Sequence, residues 1–255
     1  MSQVMRKAIV TGTGVGDELK AKNYEMSTPF GTVLCQFAVY DETEVVFLSR
    51  HGLHHSVPPH KINYRANMYA LHKLGVNDIY SICAVGSMNP DYGPGSIVEL
   101  TDYIDFTMHR DNTYYDGEFF DRVTHLDTTE PFCHTLRRLF RENWKGKEIQ
   151  SNGVYVCTEG PRFETAAEIR MFRRMGGDVV GMTTATEAAL AKELGMCYQP
   201  YAVVSNWATG IDGMHSKTEI LMTMRENRQA LIKTFVQVFQ SKEEEHCDCT
   251  RMVEL

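Results

Sequence analysis

The sequence predicts one α/β domain, a central twisted and mixed β-sheet flanked by helices, and three observations lead there. The chain has 255 residues, 43% of them hydrophobic, enough for a sizeable single core. Short β-branched runs alternate with segments of helical periodicity. No linker, repeat or low-complexity tract divides the chain, so the domain is assigned to 1–240, followed by a charged C-terminal tail over 241–255.

Strands are expected where β-branched and apolar residues run together: "KAIVTG" (7–12), "EVVFLSRHG" (44–52), "DIYSICAVGS" (78–87), "SIVELTDYID" (96–105), "GVYVCTEG" (153–160), "DVVGMTT" (178–184) and "YAVVSNWA" (201–208). Helices are expected between them. Over 60–75, Ile62, Ala66, Tyr69 and Leu74 share a face and Gly75 supplies the stop. "TAAEIRMFRRMGG" behaves alike, and alanine-rich 186–195 stops at Gly195. The last helix is expected to start at Ser216, because Ser216 and Glu219 form a capping-box pattern and Ile220, Met224, Leu231 and Phe235 follow at helical spacing. The longest irregular stretch is 106–132, a length that usually belongs to a functional or interface loop.

Charge narrows the function. Lys and Arg number 26 against 33 Asp and Glu, a net of −7, and no basic block occurs, so nucleic acid is not an expected partner. No apolar run reaches the roughly 18 residues of a membrane span, and the first residues lack the apolar region of a signal peptide, so a cytoplasmic chain without membrane contact is expected. Five of the seven cysteines, Cys35, Cys83, Cys133, Cys157 and Cys197, are scattered through apolar segments without zinc spacing. "HCDC" at 246–249 reads as part of a solvated tail, with a metal contact or a local disulfide as alternatives.

The predicted strands end in small or polar residues: Thr11-Gly12-Thr13-Gly14, Ser49-Arg50-His51-Gly52, Ala84-Val85-Gly86-Ser87, Met182-Thr183-Thr184 and Ser205-Asn206. Strand ends of an open α/β sheet converge on a ligand crevice. Together they offer glycine amides, hydroxyls and one guanidinium, a cradle for an anion. Taken singly, each has a plainer explanation. "GTGVGD" lacks the dinucleotide GxGxxG spacing and reads as a glycine turn, Arg50-His51 as a surface pair, and Thr183-Thr184 as an ordinary strand end.

In "TGTG", "SRHG", "PPHKINYRAN", "AVGSM", "HLDTTEPF", "TEGPRFETAAE" and "GMTTATEAALAKELG" the chain resembles the trimeric purine nucleoside phosphorylase and methylthioadenosine phosphorylase family over about residues 7–240. The resemblance implies a nucleoside phosphorylase-like fold and a pentosyl transfer in which inorganic phosphate attacks C1′ of a purine nucleoside. It implies no cofactor and no catalytic metal, phosphate being a co-substrate. Thr13, Arg50, His51, Ala84 and Thr183 are the implied phosphate contacts, with Cys83 where a hydroxyl residue often stands. Met182 would lie beneath the ribose. His125 would reach the neighbouring subunit's site in a homotrimer, or else be a buried structural histidine.

The same resemblance places Phe163 and Glu164 at the base. Phe163 would pack on the purine, and Glu164 would accept from N1–H, which 6-oxopurines carry and neutral adenine lacks. A carboxylate facing the bare adenine lone pair loses about 1–3 kcal/mol or more. Asn206 and Ala208 stand where adenosine-type members carry two aspartates. Asn206 offers an acceptor to N7–H and a donor to the 6-oxo group, so it and Glu164 are the residues expected to act on the leaving base. His215 is a candidate for a 5′-hydroxyl, whereas Met214, Ile211 and Trp207 would line an apolar pocket for a methylthio group, and the 5′ substituent stays open. The expected activity is phosphorolysis of inosine, guanosine or methylthioinosine. A methylthioadenosine phosphorylase with an altered base pocket and a nucleoside-binding protein without turnover are the alternatives.

Overall fold

The computed structural model describes residues 6–12, 21–40, 43–212, 217–241 and 247–254. Along the chain run β1 (Arg6–Thr11), β2 (Lys22–Thr28), β3 (Gly31–Tyr40), β4 (Thr43–Ser49), α1 (Tyr64–Lys73), β5 (Val76–Ser87), β6 (Ile97–Asp105) and β7 (Thr124–Leu126). These are followed by α2 (His134–Asn143), β8 (Ile149–Cys157), α3 (Ala166–Arg174), β9 (Val179–Gly181), α4 (Thr184–Glu193), β10 (Cys197–Trp207), α5 (Lys217–Ser241) and β11 (Met252–Glu254).

Nine strands form one mixed sheet in the order β10-β6-β8-β9-β5-β1-β4-β3-β2. β10 also pairs with β5, in parallel from Cys197 opposite Asp78 to Trp207 opposite Ser87, so five strands close into a ring from which β1, β4, β3 and β2 extend. β1 lies parallel to both β4 and β5, which brings the carboxyl ends of β1, β4, β5 and β10 to one edge.

Side-chain alternation explains why helices cover both faces. Ala8 and Val10, Val46 and Leu48, Ile79 and Cys83, and Ala202 and Val204 point into one apolar cluster with α1 and α4. Their neighbours Ile9, Val45 and Phe47, Tyr80 and Ile82, and Tyr201 and Val203 point into the other, with α2 and α5. Strands buried on both faces read as continuous apolar runs, which is why they were legible in the sequence. In the second cluster Tyr80 and Phe235 stack with ring centroids 4.2 Å apart, and the Tyr80 hydroxyl donates to Leu136 O at 2.6 Å.

All seven expected strands are present. α1 is capped by Asn63, whose side chain accepts from Ala66 N, and is followed by Gly75 with φ of 78°. α3 carries a full capping box, Thr165 with Glu168. Met224, Leu231 and Phe235 are buried as the α5 pattern requires, while the Ser216 cap and the Ile220 side chain lie outside the described residues. The β2–β3 hairpin, α2, β7 and β11 were not among the expected elements. The 106–132 stretch is irregular apart from β7 and packs on α1 through Tyr114, whose hydroxyl donates to Arg65 O at 2.7 Å.

The C-terminal expectation needs correcting. Residues 247–254 do not form a solvated tail: Cys249 is buried beside Cys197, and β11 pairs antiparallel with β7, Val253 opposite His125. The segment is held by the burial of Cys249, the half-burial of Cys247 and the β7–β11 ladder, while Val253 stays exposed.

Candidate active site

Arg50, just past β4, is buried rather than a surface residue. Its Nε donates to Glu187 Oε1 at 2.5 Å and one Nη to Glu187 Oε2 at 3.0 Å and to Ser81 Oγ at 2.6 Å, while the other Nη donates to Ile82 O at 2.9 Å. Of the five N–H groups of a guanidinium, these contacts use four. The group with one left faces Gly12, where an added Cβ would sit 3.2 Å from Arg50 Nη1. Glu187, fully buried in the first turn of α4, also accepts from the Tyr198 hydroxyl at 2.6 Å. Burial pulls the Arg50 pKa down, but the charge and hydrogen bonds of Glu187 raise it further, so the guanidinium stays charged.

His51 faces the same point, its Nε2 4.0 Å from where a Gly12 Cβ would stand, and its Nδ1 lies 2.7 Å from Val57 O. A carbonyl oxygen requires that Nδ1 carry the proton, which leaves Nε2 as an acceptor. Burial, then the Arg50 charge, lowers its pKa to about 4. Thr183 precedes α4 with no side-chain cap bond, and its N–H donates to the Tyr155 hydroxyl at 3.1 Å. The amino end of α4 is buried beside Cys83 and Arg50, and the N–H groups at a helix start favour an anion. Burial pushes the Cys83 thiol up to about 11, so it is uncharged at neutral pH and does not repel one. Ala84 is exposed in the midst of a strand otherwise buried on this stretch, and so is accessible to a ligand. Thr13 lies outside the described residues.

The second half of the site is built by the ends of β8, β9 and β10. Gly160, with φ of 68°, lets the loop after β8 approach Met182: a Cβ there would fall 2.6 Å from Met182 Sδ. Glu164 is 7% exposed, and its Oε1 accepts from Thr158 Oγ1 at 2.6 Å. Its Oε2 accepts no hydrogen bond among the described residues. Asn206 Oδ1 accepts from Ser205 Oγ at 2.7 Å and Nδ2 donates to Trp207 O at 2.7 Å, fixing the amide with a lone pair and one N–H to spare. Gly86 sits against Asn206 and Ala208, and Gly210 against Ala166, so the end of β10 is packed on the amino end of α3, next to Glu164. Ala208 itself is buried in the small cluster with Ile169 and Phe172. Phe163 is 70% exposed and His125 is exposed on β7, so His125 is not a buried structural histidine in this chain. His215 lies outside the described residues.

Glu187, Arg110 and Thr158 were not singled out in the sequence. Arg110 comes from the long 106–132 loop and is buried over the Tyr64 ring, 5.0 Å from its centroid. It donates to Glu159 Oε1 at 3.0 Å, Thr186 Oγ1 at 3.2 Å, and the carbonyls of Thr158 and Glu159, pinning the loop that carries Glu164. An acid inside the alanine-rich run 185–191 was the available signal for Glu187, since a carboxylate on an otherwise buried helix requires a partner.

The His51 environment has a consequence for stability. An unfolded histidine titrates near 6.5 and His51 near 4, so between these values the unfolded chain holds the extra proton and stability falls as pH drops through the window. His51→Gln is expected to shrink the loss of unfolding free energy between about pH 7 and about pH 4.5 by about 2 kcal/mol, measured by urea denaturation at both pH values.

Residues 6–240 match the model of the phosphorylase superfamily. The chain is 46% identical over 254 residues to a 6-oxopurine nucleoside phosphorylase of Pyrococcus furiosus, covering 96% of both chains. It is 40% identical to a probable S-methyl-5′-thioinosine phosphorylase of Thermodesulfovibrio yellowstonii, over 97% of this chain and 95% of the other. Among solved structures, a methylthioadenosine phosphorylase from an antarctic soil metagenomic library superposes with a TM-score of 0.87 at 30% identity, covering 97% of this chain and 90% of that one. The mixed sheet, the Arg50–Glu187 cradle and these matches lead to one conclusion: the chain belongs to the phosphorylase superfamily.

Proposed function

We propose that the protein is a phosphate-dependent 6-oxopurine nucleoside phosphorylase, releasing hypoxanthine or guanine and a ribose 1-phosphate. The observation that carries the base preference is Glu164, a buried carboxylate with one oxygen held by Thr158 and the other without a partner among the described residues. Such an acceptor suits N1–H of a 6-oxopurine and is left unsatisfied by adenine. The name of the Pyrococcus furiosus relative agrees with this reading.

In the proposed reaction the C1′–N9 bond breaks as a phosphate oxygen bonds to C1′, and the bonding pair leaves with the purine. Positive charge grows on the sugar and negative charge on the base. The spare N–H of Arg50, Thr13, Thr183 and the Ala84 region donate to the phosphate oxygens, and His51 Nε2 accepts from the phosphate O–H. As the pair leaves, N7 of the base takes up a proton from solvent; Asn206 then accepts from N7–H and donates to the 6-oxo group, while Glu164 accepts from N1–H throughout. No side-chain nucleophile is needed, because fixing two reactants against each other removes much of the entropic barrier. Met182 underlies the ribose, Ala208 leaves room beside Asn206, and His215 or the Trp207 and Ile211 side chains meet the 5′ group.

We extend the reading to a homotrimer, in which the exposed His125 enters the neighbouring site and the exposed Phe163 is covered by the purine. The seven free thiols suit a cytoplasmic setting. Among the described residues no helix is long and apolar enough to cross a membrane.

Parallel assays on inosine, guanosine, methylthioinosine and methylthioadenosine test the reading. Hypoxanthine or guanine release that requires phosphate and outpaces adenine release is expected. Equal release in phosphate-free buffer, or faster turnover of methylthioadenosine, contradicts it, and tight nucleoside binding without product identifies a binding protein instead. Glu164→Gln is expected to cost about 2–4 kcal/mol in kcat/KM for inosine, and unchanged kinetics would remove Glu164 from the base site.

A further inference from the structure

Four cysteines from three places in the chain meet on the α2 side of the sheet. Cys133 precedes α2, Cys197 opens β10, and Cys247 and Cys249 belong to the C-terminal segment. Their Sγ atoms all lie within 4.8 Å of one another, with Cys133 and Cys247 3.4 Å apart and Cys197 and Cys249 3.6 Å apart. Four thiolates bound to a tetrahedral zinc ion at about 2.3 Å stand about 3.8 Å from each other, so the thiols already form a cage of the required size. Cys133 and Cys249 are buried and the other two half-buried.

The surroundings match a thiolate centre. Four thiolates around a divalent zinc leave a net charge of −2, which a buried site must offset. Lys192, 3% exposed, lies within electrostatic reach of Cys249, Cys133 and Cys247, and is held by the carbonyls of Asp127 at 3.1 Å and Glu130 at 2.6 Å. The Leu136 N–H, in the first turn of α2, donates to Cys133 Sγ at 3.4 Å. The cation and the N–H donor both favour sulfur in its charged form.

We propose that Cys133, Cys197, Cys247 and Cys249 bind one zinc ion in a closed structural site, each thiol releasing its proton to solvent as the metal binds. The site fastens the C-terminal segment to α2 and β10. Three residues beyond Cys249, β11 begins and pairs with β7, so the metal also holds the strand that carries His125. This last consequence, and only this one, rests on the proposed role of His125 in the neighbouring site.

Elemental analysis of the full-length chain, purified with reductant present, tests the site without reference to activity. About one zinc per chain is expected, falling below about a tenth of that in Cys247→Ser and in Cys249→Ser and unchanged in Cys35→Ala. Cobalt(II) in place of zinc is expected to give the intense red-region absorption of a tetrahedral thiolate centre. If the serine variants do not fold, the native chain decides alone, through zinc released in step with titration of four thiols by a mercurial. Four reactive thiols with no zinc bound and none taken up, or disulfides among these cysteines in the reduced preparation, would overturn the proposal. Loss of zinc that leaves the KM for nucleoside unchanged would remove only the link to His125.

Discussion

The contact on which the site depends is the buried pair of Arg50 and Glu187. Glu187 is held by Arg50, by Tyr198 and, at 3.4 Å, by Ser81, so α4, β10, β5 and the end of β4 are joined at one carboxylate. A buried ion pair adds little to stability against an apolar replacement, but breaking one by removing a partner costs about 3–5 kcal/mol. Its retention is therefore better understood by what it positions. It consumes two of the Arg50 N–H groups, Ser81 and the Ile82 carbonyl take two more, and the remaining one is left on the nitrogen that faces Gly12.

That arrangement decides how the proposed reaction treats phosphate. The Arg50 charge is balanced by Glu187, His51 is neutral above about pH 4 and Cys83 is protonated. The cradle is thus close to electroneutral, so in the proposed reaction its anion is held by directed hydrogen bonds more than by net charge. The two residues proposed to meet the base, Glu164 and Asn206, are likewise each fixed by a neighbouring hydroxyl, Thr158 and Ser205.

Much of this was legible in the sequence because it is local. Strands buried on both faces, the Gly75 and Gly195 stops, and the polar strand ends announce themselves within a few residues. The elements that escaped lack a local signal. β2 is an edge strand whose first four residues are exposed, so no alternation appears. α2 is capped by the Cys133 thiol instead of Ser, Thr or Asp. β7 and β11 exist only because each pairs with the other. In the site, Arg50 and Glu187 are separated by 137 positions and Arg110 reaches Thr186 across 76, distances over which spacing carries no information. The four cysteines are the same case: their sequence spacing excludes a zinc finger, and folding brings their sulfur atoms together.

Calorimetric titration of inorganic phosphate into the folded protein and into Glu187→Gln tests the positioning role most directly. If Glu187 acts by aiming Arg50, the variant binds phosphate at least about tenfold more weakly, although it has lost a negative charge. If Glu187 is only a charge near the anion, its removal leaves binding unchanged or makes it tighter, and that result would contradict the account.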